Sequence, residues 1–123
     1  MVAQFADDLA RGRRPELHGD GTQTRDFTHV DDVVRAPGLA GEERLTGIYN
    51  VGTEESYSFN ALVDMLNEEL GTDIEPSYVR NPIPESAYVH DAYADVTKLR
   101  AATGREPQAP LAEGIARVCS PYQ

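Results

Sequence analysis

Apolar residues recur along the chain at spacings that change character from one stretch to the next. Val2, Phe5, Ala6 and Leu9 repeat at helical spacing until Gly12, which predicts a first helix that begins at or before Met1. Glu16-Leu17-His18 reads as a short strand, and Gly19-Asp20-Gly21, two positions tolerant of positive φ around a short acid, predicts a sharp reversal. Thr22 to Val30 then reads as a strand, with Asp31 or Asp32 as the N-cap of a following helix. Pro37-Gly38 predicts that this helix stops after one turn and that Leu39 to Gly47 is a loop. Thr46 to Gly52 reads as a short buried strand with glycines at both ends.

The clearest helix follows. Ser58 caps it, Phe59, Leu62, Val63, Leu66 and Leu70 share one face, and Gly71 stops it. Ile74 to Arg80 alternates as a strand, while Asn81-Pro82-Ile83-Pro84-Glu85 is too rich in proline to pair on both sides. Tyr88 to Tyr93 reads as another extended piece. Asp95 is placed to cap a helix through Leu99 to Ala102 that ends at Gly104, and Leu111, Ile115 and Val118 mark a final helix. The pattern contains no internal repeat, and its length suits one domain over residues 1–123.

Composition narrows the functions open to such a domain. The net charge is −10, with ten arginines and a single lysine, Lys98. An acidic, lysine-poor surface fits a protein working in concentrated salt, where screening removes self-repulsion, and it argues against nucleic-acid binding. One cysteine, Cys119, excludes an internal disulfide and reads as a small buried hydrophobe on the last helix. No apolar run reaches the length of a membrane span or signal peptide, so a cytoplasmic protein without membrane partners is expected. His18, Asp20, His29 and Asp31 match no metal-ligand spacing, and no metal site is expected.

The densest stretch runs from His18 to Ala36. There Gly19, Asp20, Gly21, Gln23, Arg25, Asp26, Phe27, Val30 and Asp32 stand in order and without a gap. This run resembles the Gly-Asp-Gly-x-Gln-x-Arg-Asp-Phe/Tyr-x-x-Val-x-Asp signature in the C-terminal half of NAD-dependent nucleotide-sugar epimerases and dehydratases, within the extended short-chain dehydrogenase/reductase superfamily and similar to UDP-glucose 4-epimerases. Ile48-Tyr49-Asn50-Val51-Gly52-Thr53 is similar to the family's Tyr-Asn-Val-Gly strand end, and Ala94-Asp95-Val96-Thr97-Lys98-Leu99 to its Ala-Asp-x-Ser/Thr-Lys segment. With Pro107 and Leu111 to Ile115, the resemblance covers essentially the whole chain.

The resemblance implies a fold: a small mixed α/β domain of short strands and four to five helices, equivalent to the C-terminal substrate-binding lobe. The Rossmann half is missing, so the chain is expected to be truncated at its N-terminus. Gly19-x-Gly21-x-x-Thr24 lacks the third glycine of a dinucleotide fingerprint and leads into a strand. The family's Tyr-x-x-x-Lys pair is also missing, because Ala94 lies four residues before Lys98. No catalytic, cofactor-binding or metal residue is therefore expected here, and NAD is a family expectation whose binding half lies elsewhere.

The ligand implied is a nucleotide-diphosphate sugar. Arg25 is the first candidate contact, because a guanidinium pairs two oxygens at once; the alternative for it is an ion pair with Asp26 or Asp32. Gln23 and Phe27 flank it within the signature. Arg80 stands near the place of the family's second arginine, although the Gly-Asp that should follow is absent. The expected function is the substrate-binding portion of an epimerase or dehydratase, inactive alone, with an N-terminal Rossmann half or a second copy as partner. The alternatives are a stand-alone nucleotide-sugar-binding or interaction module that needs a partner chain, and a gene remnant, to which Pro37 and the uncapped first helix would point.

Overall fold

A computed structural model describes residues 1–106 and 108–123, leaving Pro107 of the resembling segment outside the described residues. The chain runs α1 (Val2–Ala10), β1 (Glu16–His18), β2 (Thr24–Arg25), α2 (Val30–Glu42), β3 (Tyr57–Ser58), α3 (Phe59–Leu70), β4 (Ser77–Val79), α4 (Thr97–Thr103) and α5 (Leu111–Cys119), closing on a 3-10 turn at Ser120–Tyr122. Five α-helices and short strands give the small mixed α/β architecture expected from the sequence.

Three helices make the core. Phe5, Ala6 and Leu9 of α1 meet Leu62, Val63 and Leu66 of α3 and Leu111, Ile115 and Cys119 of α5, with Leu17 of β1 among them. Helix α3 forms for the reasons read in its sequence: the Ser58 hydroxyl oxygen accepts from Ala61 N at 3.0 Å, and Gly71 closes the helix in the left-handed region at φ 69°. Cys119 is buried and unpaired, as expected.

Two small sheets flank this core. Strand β1 pairs with β4 in parallel, Leu17 opposite Tyr78, and β2 pairs antiparallel with β3, Thr24 opposite Ser58 and Arg25 opposite Tyr57. A single bridge joins Thr24 to Asp91, so the extended piece expected between Tyr88 and Tyr93 lies beside β2.

Several expectations need correction. The strand expected from Ile74 to Arg80 covers only Ser77–Val79, and the N-cap of α4 is Val96 in place of Asp95, whose Oδ1 accepts from Thr97 N at 3.0 Å from one residue further back. Helix α2 does not stop after one turn: it runs from Val30 to Glu42 with Pro37 inside, which also turns the first part of the expected Leu39–Gly47 loop into helix. Proline removes one donor and crowds one carbonyl, and here it sits on the exposed side while Ala36, one residue before it, is buried and Leu39 and Ala40 after it are half-buried. The N-cap of α2 is His29, whose Nδ1 accepts from Asp31 N at 3.0 Å, rather than Asp31 or Asp32.

The short strand expected from Thr22 to Val30 contracts further, to Thr24–Arg25, and just past its end the Asp26 side chain accepts from Thr53 N at 2.9 Å. Thr46 to Gly52 is not a buried strand either. Residues 47–52 make no backbone–backbone hydrogen bond among the described residues, and Ile48 is 85% exposed. A strand needs a neighbour to satisfy its backbone, and here side chains reach the segment instead: Lys98 Nζ donates to Ile48 O at 2.8 Å from 4.3 Å over the Tyr49 ring, and Arg105 Nη1 donates to Gly52 O at 3.4 Å.

Candidate functional site

The site is built on the turn before β2. Gly19 and Gly21 adopt φ of 72° and 74°, and Asp20 Oδ1 accepts from Thr22 N at 3.0 Å and from the Thr22 hydroxyl at 2.6 Å. Those two bonds, the hydroxyl first, hold the Asp20 carboxyl below its ordinary range. The turn is fixed to the start of α3: Asn60 N donates to Gly21 O, Asn60 Nδ2 donates to Asp20 O, and Phe59 N donates to Gln23 O. Gln23 itself is only 2% exposed and its Nε2 donates to His18 O at 2.8 Å, so its amide holds the turn from inside.

This scaffold delivers Arg25 to the surface. Its Nη1 donates to Thr24 O at 2.7 Å and to His90 O at 2.9 Å, and its Nη2 donates to Val89 O at 2.8 Å. The guanidinium carbon lies 5.7 Å from the Phe59 ring centroid and 5.5 Å from that of Tyr88, within cation–π range of both. No carboxylate comes within ion-pair distance of Arg25 among the described residues, which removes the Asp26 and Asp32 alternatives. A guanidinium carries five N–H donors; three go to carbonyl oxygens, and Nε–H and one Nη2–H stay unpaired among the described residues.

The neighbouring carboxylate has a different task. Asp26 accepts from Thr53 N at 2.9 Å, Thr53 Oγ1 at 2.6 Å, Glu54 N at 3.1 Å and Ala94 N at 3.3 Å, drawing three distant segments together. Gly52 makes that approach possible, since a Cβ there would lie 2.5 Å from Ala94 Cβ and 2.7 Å from Asp26 Oδ2. Glu54, in turn, takes Val96 N at 3.1 Å and Arg100 Nη2 at 2.8 Å, and the Arg100 guanidinium holds its carboxyl low. Asp32, 2% exposed, accepts from Gln108 N and Ala109 N at 3.0 and 3.1 Å and so ties α2 to the segment before α5.

Between these segments lies an open cleft of about 370 Å³ walled by Arg25, Asp26, Asn50, Val51, Tyr93 and Asp95. Of the four candidate residues read from the sequence, Arg25 alone lines it. Phe27 lies behind, its ring 6.4 Å from that of Phe59 and facing two other hollows. Arg80 follows β4, exposed and without a hydrogen bond or ion pair among the described residues. Sequence reading missed the Phe59–Tyr88 bracket around Arg25, because Phe59 reads only as helix face and Tyr88 as a rim aromatic.

The sequence profile of the family described as GDP-mannose 4,6 dehydratase matches residues 1–118. The chain belongs to this family. The chain is also 35% identical over 118 residues to a putative UDP-glucose 4-epimerase of Methanocaldococcus jannaschii, covering 96% of this chain and 37% of that protein. It is 37% identical to the UDP-glucose 4-epimerase of Mycolicibacterium smegmatis, covering 95% of this chain and again 37% of the relative. Among solved structures, the UDP-glucose 4-epimerase of Thermotoga maritima with UDP-glucose superposes at a TM-score of 0.84 and 36% identity, over 97% of this chain and 38% of that one. The Thermus thermophilus UDP-glucose 4-epimerase complex with NAD gives 0.82 and 30%, over 98% and 39%. The nucleotide-sugar epimerase/dehydratase resemblance is therefore shown, and the chain spans little more than a third of the length of these family members.

Proposed function

We propose that this chain is the substrate-binding portion of an NAD-dependent nucleotide-diphosphate-sugar epimerase or dehydratase, and that it turns nothing over by itself. The observation that carries this reading is Arg25, fixed at the wall of an open cleft with two neighbouring nitrogens still able to donate. Such a fork suits a diphosphate, which offers paired oxygens. Gln23 holds the turn behind Arg25, Phe27 backs the Phe59 ring, and Arg80 is the second cation proposed for the far end of the ligand.

NAD is the cofactor this reading implies, but the described residues do not fit it. The Gly19–Gly21 turn runs into β2 and not into a helix, and the N-terminus of α3 beside it is already engaged, Phe59 N and Asn60 N donating to Gln23 O and Gly21 O in place of a pyrophosphate. NAD binding is assigned to the portion of the family's length that this chain does not span. Val30, Val34 and Ile48, 62%, 68% and 85% exposed, support a covering partner, either that portion or a separate chain carrying it.

Calorimetric titration with UDP-glucose and UDP tests the reading. The wild-type chain binds, Arg25→Met weakens binding about 10- to 100-fold, and Arg25→Lys recovers only part because a point charge cannot fork. Absence of binding by the wild type, or turnover of UDP-glucose with NAD by the chain alone, would overturn it. The acidic surface supports a second expectation. The thermal midpoint rises from dilute to concentrated KCl, whereas a flat response would place the acidity outside salt adaptation.

A further inference from the structure

Residues 81–93 form a strap that crosses Arg25. Its start is stiffened by Pro82 and Pro84, with Asn81 Oδ1 accepting from Ile83 N at 3.0 Å and Tyr88 N donating to Pro84 O at 3.0 Å. Its far end is anchored on β2, where Thr24 N donates to His90 O, Ala92 N donates to Thr24 O, and the Thr24 hydroxyl donates to Asp91 Oδ1 at 2.8 Å. The His90 ring bridges the same two segments, 2.9 Å from Asp91 Oδ1 through Nδ1 and 3.1 Å from Thr22 Oγ1 through Nε2. Between the two anchors the strap gives Arg25 two carbonyl acceptors, at Val89 and His90, and the face of the Tyr88 ring.

These contacts constrain the arginine from two directions. The carbonyls define the plane in which its Nη groups lie. The Tyr88 and Phe59 rings, each within 6 Å, restrict rotation out of that plane. The Tyr88 hydroxyl makes no hydrogen bond among the described residues, so the ring rather than the phenol does this. A flexible arginine loses side-chain entropy when it grips an anion, and one already held does not.

We propose that Tyr88 is a positioning residue for Arg25: its ring, with the strap carbonyls beside it, holds the guanidinium so that Nε and Nη2 face the cleft, and the strap thereby sets the affinity for a diphosphate. This rests on the substrate-binding reading above.

Two measurements on the 123-residue chain test it. In 15N NMR, the Arg25 Nε–Hε signal, assigned by its loss in Arg25→Met, reports guanidinium rotation without any ligand. Tyr88→Ala speeds that rotation and Tyr88→Phe leaves it slow. In titrations with UDP, Tyr88→Ala weakens binding about five- to tenfold and Tyr88→Phe binds as the wild type, with thermal midpoints unchanged in both. Unchanged rotation in Tyr88→Ala overturns the proposal, whether or not UDP binds. Faster rotation with no UDP binding by the wild type leaves the positioning role standing and overturns the substrate-binding reading alone. Faster rotation with unchanged UDP affinity overturns the link from strap to affinity.

Discussion

Asp26→Ala lowers the unfolding free energy by about 3 to 5 kcal/mol, the range for removing the shared partner of several part-buried donors. Removal of the carboxylate leaves Thr53 N, Glu54 N and Ala94 N, all part-buried, without their shared acceptor. Asp26→Asn recovers little. Oδ1 accepts from the Thr53 hydroxyl and Oδ2 from the backbone N–H groups of Glu54 and Ala94, so whichever oxygen becomes an amide nitrogen then faces donors. Urea unfolding followed by circular dichroism measures both variants. A loss under about 1 kcal/mol for the alanine variant would mean that water replaces the carboxylate, and that Asp26 does not hold the 53–54 and 94 segments in place.

Gly21→Ala is the second large effect, about 2 to 5 kcal/mol from backbone strain and overpacking together. The φ of 74° already disfavours any side chain, and a Cβ would stand 2.2 Å from Asn60 Oδ1 and 2.9 Å from Leu17 Cδ1. Neither neighbour yields easily. Leu17 is buried in the core, and Asn60 is held at both ends of its amide, donating to Asp20 O and accepting from the Tyr78 hydroxyl at 2.8 Å. Gly19→Ala is the control: its φ is 72° but no atom lies within 4 Å of the added Cβ, so it shows the backbone part alone. Equal losses for the two variants in urea unfolding would assign the cost to conformation and not to packing at Asn60.

The parts of the fold that were legible in the sequence are those fixed by local rules. Ser58, the apolar stripe of α3 and Gly71 lie within one short stretch, so cap, period and stop can be read together. Misreadings arose where distant residues decide. Asp32 looks like an N-cap, but its acceptors serve Gln108 and Ala109, a pairing no local pattern encodes. Pro37 looks like a stop, yet burial of Ala36 and half-burial of Leu39 and Ala40 carry α2 past it. Ile48, Tyr49 and Val51 between two glycines look like a short buried strand, but a strand is a property of two segments, and among the described residues no second one pairs with it through its backbone. At the site, Arg25 was legible through the signature around it. The strap was not, because periodicity does not say which carbonyls, 64 and 65 residues away, will meet a guanidinium.

Lys98 gives the chain an unusual chemical address. It is the sole lysine, so an acylating reagent aimed at primary amines has only its ε-amine and the terminal amine of Met1 to attack. That ε-amine is engaged by Ile48 O and lies over the Tyr49 ring. One acyl group there removes the charge on which the cation–π contact depends and loosens the segment at Ile48, while Arg105 Nη1 still donates to Gly52 O at its other end. The rate of acylation at a single atom therefore reports how tightly that segment is held, and how far a covering polypeptide shields it.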